Sequence, residues 1–141
     1  MVDSDLITRT LELAGERGGD ITPRVYARLF SDYPEMEALF VRDRDGSVRG
    51  EMLARVFEAL LDFVDRRAYA AQMIQCEVIT HEGYGVPPNV FPLFFVALAD
   101  TLAEVLGADW TPSVADAWRE LLTQIDWYAT HTDQTAIPQF A

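Results

Sequence analysis

The sequence predicts an all-α fold, and three observations lead to that class. Apolar residues recur with a helical period along the 141 residues, and no alternating pattern of convincing strand length occurs. Glycine and proline residues divide the chain into segments of helix length. Half of the residues are hydrophobic, which is enough to build a core in a chain of this length. We therefore expect a single helical domain over residues 1–141.

Three helical segments are expected in the first 40 residues. The first ends at Gly18-Gly19, since glycine readily adopts the conformation that terminates a helix. The second begins near Thr22-Pro23 and ends at Tyr33-Pro34, because proline suits the first turn of a helix and not its interior. The third is a short helical turn that leads into a polar connection at 41–48. The expected segments span about 4–16, 22–33 and 34–40.

Four longer helices are expected in the rest of the chain. The one over about 89–106 is apolar on almost every side, so it should lie centrally or at an interface, which leaves a homodimer open. The last helix begins at Thr111-Pro112, a capping residue followed by proline. The expected helices span about 49–65, 70–81, 89–106 and 111–128.

Charge and composition exclude several classes of function. With 11 basic and 23 acidic residues the net charge is −12, so nucleic acid and anionic membrane surfaces would be repelled. The N-terminal residues do not resemble an export signal and no apolar run reaches transmembrane length, so we expect a cytoplasmic protein. The single cysteine, Cys76, cannot form an internal disulfide; we interpret it as a small core residue in preference to a redox-sensing thiol.

One histidine stands out by its position. His81 closes an apolar helical stretch and precedes a segment rich in glycine and proline. The only other histidine is His131, so a multi-ligand zinc or iron site lacks donors. A metal inside a macrocycle needs only one protein ligand, and haem with a proximal histidine is that case. The alternative is a hydrogen-bonded or surface histidine at a helix end.

Several motifs follow one another in an order that resembles a known family. The motifs are Tyr26-Ala-Arg-Leu-Phe30, Pro34 through Leu39-Phe40, Gly50-Glu-Met52 with Val56, His81-Glu-Gly-Tyr-Gly-Val86, Leu106-Gly107 and Ala117-Trp118. Together they are similar to bacterial globins, in particular the haem domain of flavohaemoglobins and single-domain relatives such as neuroglobin. The resemblance implies a globin fold with a three-over-three helical sandwich, haem b (iron protoporphyrin IX) as cofactor, and His81 as the proximal iron ligand.

The same resemblance implies a ligand-binding side opposite His81. Tyr26 corresponds to a distal tyrosine whose hydroxyl donates a hydrogen bond to the bound gas, and Phe40 to a ring stacked on the haem edge. The alternative for both is an ordinary aromatic core residue. Met52 falls where relatives commonly have His or Gln; we prefer an apolar plug to a sulfur ligand of the iron. Val56, one turn later, would shape the ligand space, and Arg55 either pairs with a haem propionate or is a solvated charge.

The proximal side departs from the family pattern. Flavohaemoglobins support their histidine with a tyrosine and a glutamate, and here Phe91 takes the tyrosine position while Glu120 keeps a carboxylate. Glu77, one turn before His81, replaces an apolar residue, and a buried carboxylate there is costly unless it is paired. We expect either an irregular helix or an altered pocket at this point.

The sequence thus predicts a haem-binding globin that reversibly binds a diatomic gas, oxygen or nitric oxide. Ligand binding is preferred to catalysis, since nitric oxide dioxygenase chemistry would require electrons from an external reductase. The third interpretation is a sensor or interaction module that uses the globin scaffold without haem. The unusual Met52 and Glu77 are its best support.

Overall fold

The computed structural model describes residues 2–133 and 137–140, and these form helices joined by short turns, with no strand in the described ranges. A 3₁₀ segment connects α2 to α3, and a 3₁₀ turn separates α5 from α6. The elements are α1 (Ser4–Gly18), α2 (Thr22–Asp32), the 3₁₀ segment Pro34–Phe40, α3 (Ser47–Val64), α4 (Ala70–Gly83), α5 (Leu93–Leu106), the 3₁₀ turn Gly107–Asp109 and α6 (Pro112–Thr130).

The helices pack as two layers of three. In one layer α3 contacts both α1 and α4, and in the other α5 contacts both α2 and α6. The layers meet where α1 crosses α5 and α6, where α2 crosses α3, and where α4 packs on α6. This arrangement confirms the predicted all-α, three-over-three sandwich. It also confirms the central position of α5, which the apolar character of that helix on almost every side predicted.

The core lies between the two layers. It contains large side chains that are almost completely removed from water, and burying apolar surface of this kind is the main favourable contribution to folding. The largest fully buried side chains come from α1, α2, α3, α5 and α6. They include Ile7, Val25, Tyr26, Leu60, Phe63, Leu98, Leu102, Trp118, Leu121 and Ile125.

Local sequence signals set the helix ends. Gly19 terminates α1 with φ +61°, a conformation that residues with a Cβ rarely adopt. Thr111 begins α6, since its hydroxyl accepts a hydrogen bond from the Val114 N–H at 3.3 Å, and Pro112 occupies the first turn. These boundaries were predicted from the sequence and are confirmed.

Two predictions about local structure were wrong. Regular helix in α5 begins at Leu93, later than the expected residue 89, because the preceding residues form successive turns, including a bond from Val90 N–H to Pro87 O. Pro92 has no N–H to donate, so it fits before or within the first turn. Cys76 is exposed and is not a core residue, since α4 turns Ile74 and Val78 inward instead.

Within the described ranges, none of the helices combines the length and the apolar character needed to cross a lipid bilayer.

Candidate functional site

The helix that carries His81 is held at its start by an aspartate from the preceding helix. Asp62 accepts hydrogen bonds from the N–H groups of Ala68, Tyr69 and Ala70 at 3.1, 3.0 and 2.8 Å. Burial raises the pKa of the Asp62 carboxyl, but these three bonds favour the ionised form and leave the pKa below its usual value. The first N–H groups of a helix have no partner within the helix, so Asp62 fixes where α4 begins.

His81 lies in the last turn of α4, as predicted, and its ring is bonded to its own helix. Nδ1 is 2.8 Å from the backbone oxygen of Glu77 and 3.3 Å from the Glu77 carboxylate. A carbonyl oxygen only accepts, so the proton of the neutral ring is on Nδ1 and the lone pair is on Nε2. Nε2 is therefore the nitrogen available to a metal.

The hydrogen bond to the backbone does not by itself distinguish His81. His131 makes the same bond from Nδ1 to the Trp127 oxygen, also at 2.8 Å, and its ring stacks on Trp127 at 4.2 Å. Two features separate the histidines: the Glu77 carboxylate, and the Phe91 ring, whose centroid is 5.1 Å from that of His81 in an edge arrangement.

Tyr26 lies on the opposite side of the sandwich in an aromatic box. The box consists of Tyr26, Phe30, Phe40 and Phe94, and the centroid of Tyr26 is 5.4 to 5.8 Å from those of the other three. Only 2% of Tyr26 is exposed, and its buried hydroxyl has no hydrogen-bond partner among the described residues. Burial raises the pKa of Tyr26 far above its usual range, so the group remains a hydroxyl that can donate.

Ring contacts connect the two sides of the site. Phe91 contacts Phe95 at 6.1 Å, Phe95 contacts Phe94 at 5.9 Å, and Phe94 contacts Tyr26. An unbroken row of aromatic side chains thus leads from His81 to the aromatic box. Sequence reasoning assigned Phe91 and missed Phe94 and Phe95; the run Phe91-Pro-Leu-Phe-Phe95 was the available signal.

The predicted site residues of α3 lie on different faces. Met52 and Val56 are partly buried and share a stripe with the buried Ala59 and Phe63, at spacings of three and four residues. Arg55 does not share it: its side chain is 72% exposed and approaches Glu51 at 3.4 Å. Met52 and Val56 are therefore at the inner side of α3, whereas the propionate role of Arg55 stays a prediction.

The start of α3, close to the aromatic box, is held by a buried aspartate that the sequence analysis did not assign. Asp43 accepts hydrogen bonds from the N–H groups of Val48 and Arg49 at 3.0 Å and from the Arg49 guanidinium at 2.9 Å. Burial opposes ionisation of Asp43, but these bonds outweigh it and lower its pKa. Beside the larger effect of burial, Arg49 lowers the pKa of Tyr26 and Asp43 raises it, so both charges act on the Tyr26 hydroxyl.

Glu120 does not join the other predicted residues. It is exposed on α6 and accepts a hydrogen bond from Gln124 at 2.9 Å. The carboxylate near His81 belongs to Glu77, which is 43% exposed and so avoids the cost of a buried charge. The predicted irregularity of α4 is absent, since the helix is regular from Ala70 to Gly83.

Two surface cavities lie away from the predicted site residues. One is enclosed by residues of α1, the following turn and α3, and the other lies in the groove between α5 and α6, where Val96 and Trp118 form part of the wall. None of the predicted site residues lines either cavity.

Comparison with known proteins decides the family. The family model described as Globin matches residues 23–126, which include Tyr26, Phe40 and His81. The chain belongs to the globin family. No solved structure gives a significant match to it.

Individual relatives agree with this assignment. An "Uncharacterized globin-like protein" of Aquifex aeolicus is 30% identical over 115 residues, covering 82% of this chain and 80% of the relative. Proteins named "Flavohemoprotein" from Halalkalibacterium halodurans and Bacillus subtilis are 26% and 25% identical and match 82% of this globin chain. The match spans only 28% and 29% of those two relatives.

Proposed function

We propose that this globin binds haem b through His81 and reversibly holds a diatomic gas, oxygen or nitric oxide, on the side of Tyr26. The observation that carries the proposal is the pairing of a histidine whose Nε2 is available with a buried hydroxyl that has no partner among the described residues. The relatives named flavohemoproteins support haem as the cofactor.

The chemistry of His81 fits an iron ligand. Its Nδ1 proton is held by the Glu77 oxygen, which fixes the tautomer with the lone pair on Nε2. The edge contact with Phe91 restrains the plane of the ring. A ligand whose orientation is already fixed loses little conformational entropy when it binds a metal. Haem held by His81 would supply an iron that binds a diatomic gas.

The chemistry of Tyr26 fits a donor to the gas. A buried hydroxyl without a hydrogen bond costs about 1 to 3 kcal/mol, and an acceptor brought next to it recovers that energy. Bound oxygen carries partial negative charge and accepts such a bond. In this proposal Phe40 would help to hold the haem, Met52 and Val56 would limit the ligand space, and Arg55 would pair with a propionate.

The proposal is tested by titrating the purified full chain with haemin and following the Soret band. We expect a sharp end point at one haem per chain, and a reduced form that binds carbon monoxide with a discrete spectral change. A Soret absorbance that rises continuously without saturating, as nonspecific binding of haemin gives, contradicts the proposal. Nitric oxide turnover on addition of an external reductase would extend the function to a nitric oxide dioxygenase.

A second candidate is a globin-fold interaction or sensor module without haem. Two observations favour it: neither cavity is lined by a predicted site residue, and the Tyr26 ring is enclosed by three phenylalanines. The same titration separates the candidates, because this one predicts no saturable Soret band.

A further inference from the structure

Both polar contacts of the His81 ring come from one residue. The Nδ1 proton is donated to the Glu77 backbone oxygen at 2.8 Å, and a Glu77 carboxylate oxygen lies 3.3 Å from the same nitrogen, within ion-pair distance. The carbonyl contact follows from helical geometry alone, as His131 also shows. The carboxylate contact depends on the identity of residue 77.

Among the described residues, no other carboxylate lies within ion-pair distance of the His81 ring. The neighbouring Phe91 ring presents carbon and hydrogen, which neither donate nor accept a conventional hydrogen bond. Glu120 is engaged by Gln124 on α6. Glu82 is adjacent in sequence but exposed, and it forms no hydrogen bond to the His81 ring within the described ranges.

We propose that Glu77 is a positioning residue that polarises the His81 imidazole: the negative charge of its carboxylate lies 3.3 Å from Nδ1 and so strengthens Nε2 as an iron ligand. A negatively charged acceptor on one imidazole nitrogen increases the electron density on the other. This arrangement draws its carboxylate from the histidine's own helix, one turn earlier. The inference rests on the proposed haem function for its effect on the metal, and on the geometry of Glu77 alone for its effect on the ring.

The expected effect is moderate. The Glu77 carboxylate is 43% exposed, so water weakens its field, and 3.3 Å is longer than a strong charge-assisted hydrogen bond. The charge should favour the ferric over the ferrous iron by about threefold to tenfold, which corresponds to about 30 to 60 mV for a one-electron couple.

The first experiment compares Glu77→Gln with Glu82→Gln in the haem-loaded full chain. Both variants remove one negative charge within a turn of His81, but only the first removes it from the Nδ1 proton. We expect Glu77→Gln to lower the iron–histidine stretching frequency in the resonance Raman spectrum of the ferrous form. We also expect Glu77→Gln to raise the midpoint potential of the iron by about 30 to 60 mV, while Glu82→Gln leaves that potential and the stretching frequency near their wild-type values. Equal shifts in the two variants, or no shift in either, overturn the proposal.

The second experiment needs no haem. The ring nitrogens of His81 and His131 are compared by ¹⁵N NMR in the apoprotein at a pH where both rings are neutral. We expect Glu77→Gln to move the Nδ1 shift of His81 away from the Nε2 shift, because the N–H is then less polarised, and to leave the shifts of His131 unchanged. Unchanged His81 shifts overturn the proposal even if the chain takes up no haem. Failure to bind haem with a displaced His81 signal instead refutes the proposed function and retains the role of Glu77 at the ring.

Discussion

The two sides of the site are built in different ways. At His81 the polar contacts of Nδ1 lie within α4, since the backbone oxygen that accepts its hydrogen bond and the nearby carboxylate both belong to Glu77. At Tyr26 the surrounding rings come from α2, the 3₁₀ segment and α5, and the buried hydroxyl has no partner among the described residues. One side is thus complete and encoded locally, whereas the other depends on tertiary packing and leaves a polar group to be satisfied.

This difference between the His81 side and the Tyr26 side corresponds to two separate tasks, holding a cofactor and binding a gas. In the proposed function His81 is the metal ligand, and its hydrogen bond to Glu77 orients the ring independently of distant residues. Tyr26 is the donor to the gas in the same proposal, and a hydroxyl without a partner among the described residues gains a hydrogen bond when the gas enters. Substitutions on the two sides should accordingly affect different quantities: retention of the cofactor on the His81 side and release of the gas on the Tyr26 side.

The largest expected effect is that of His81→Ala. Without Nε2 the iron has no protein ligand in this account, so haem should be lost or held loosely. His131→Ala is the matched control, because His131 has the same bond to a backbone oxygen one turn earlier. The measurement is haem transfer to an acceptor apoprotein, followed by absorbance. Equal haem retention in both variants would remove His81 from the role of iron ligand.

Tyr26→Phe should change the release of the gas and leave haem retention unaffected. Loss of a hydrogen bond worth about 1 to 3 kcal/mol should speed oxygen dissociation about tenfold or more, with haem retention unchanged. Without ligand, the same substitution should leave the protein as stable or more stable, since it removes an unsatisfied buried hydroxyl. Tyr33→Phe, in the same apolar cluster, is the control. Equal off-rates in the two variants, measured by stopped flow, exclude Tyr26 as the donor.

Substitution of Met52, which the proposed function places on the same side as Tyr26, should give a smaller effect. As an apolar plug it leaves the ferrous iron five-coordinate, and carbon monoxide should bind in one fast phase. Met52→Gln adds a donor and should slow oxygen release several-fold, whereas Met52→Leu should preserve the spectrum. The plug is refuted by a low-spin ferrous spectrum in the wild type that becomes high-spin in Met52→Leu.

The smallest expected effect concerns the cap of α4. Asp62→Ala leaves three N–H groups without their acceptor and should reduce the free energy of unfolding by about 1 kcal/mol at neutral pH. The pKa of Asp62 is lowered in the native state, so its contribution is present above the unfolded value of 3.8 and is lost as the pH falls through the native pKa. Urea unfolding at neutral and acidic pH should show the two proteins converging in acid. A difference that grows in acid contradicts this assignment.

The sequence predicted those features that depend on neighbours within a few residues. The end of α1 at Gly19, the start of α6 at Thr111 and the position of His81 in a last helical turn all follow from local chemistry. The sandwich arrangement came from the family resemblance, and the contacts of α5 with both α2 and α6 agree with it.

Features that depend on tertiary packing were not predictable from local patterns. Phe94 contacts Tyr26 across the fold, and no period in the sequence links the two residues. Asp62 caps a helix that begins eight residues later, and the orientation of Cys76 depends on which face of α4 meets α6. The sequence showed that Glu77 departs from the family pattern. It did not show that the Glu77 carboxylate approaches His81, because an exposed glutamate has several rotamers of similar energy.

Rescue of His81→Gly by free imidazole tests directly whether His81 is the ligand that connects this chain to haem iron. The variant alone should fail to form a stable haem complex. Added imidazole should occupy the space of the missing ring, contact Phe91 and restore a saturable Soret band and a ferrous carbon monoxide spectrum like those of the wild type. A His81→Gly variant with a wild-type Soret band before imidazole is added would contradict the account.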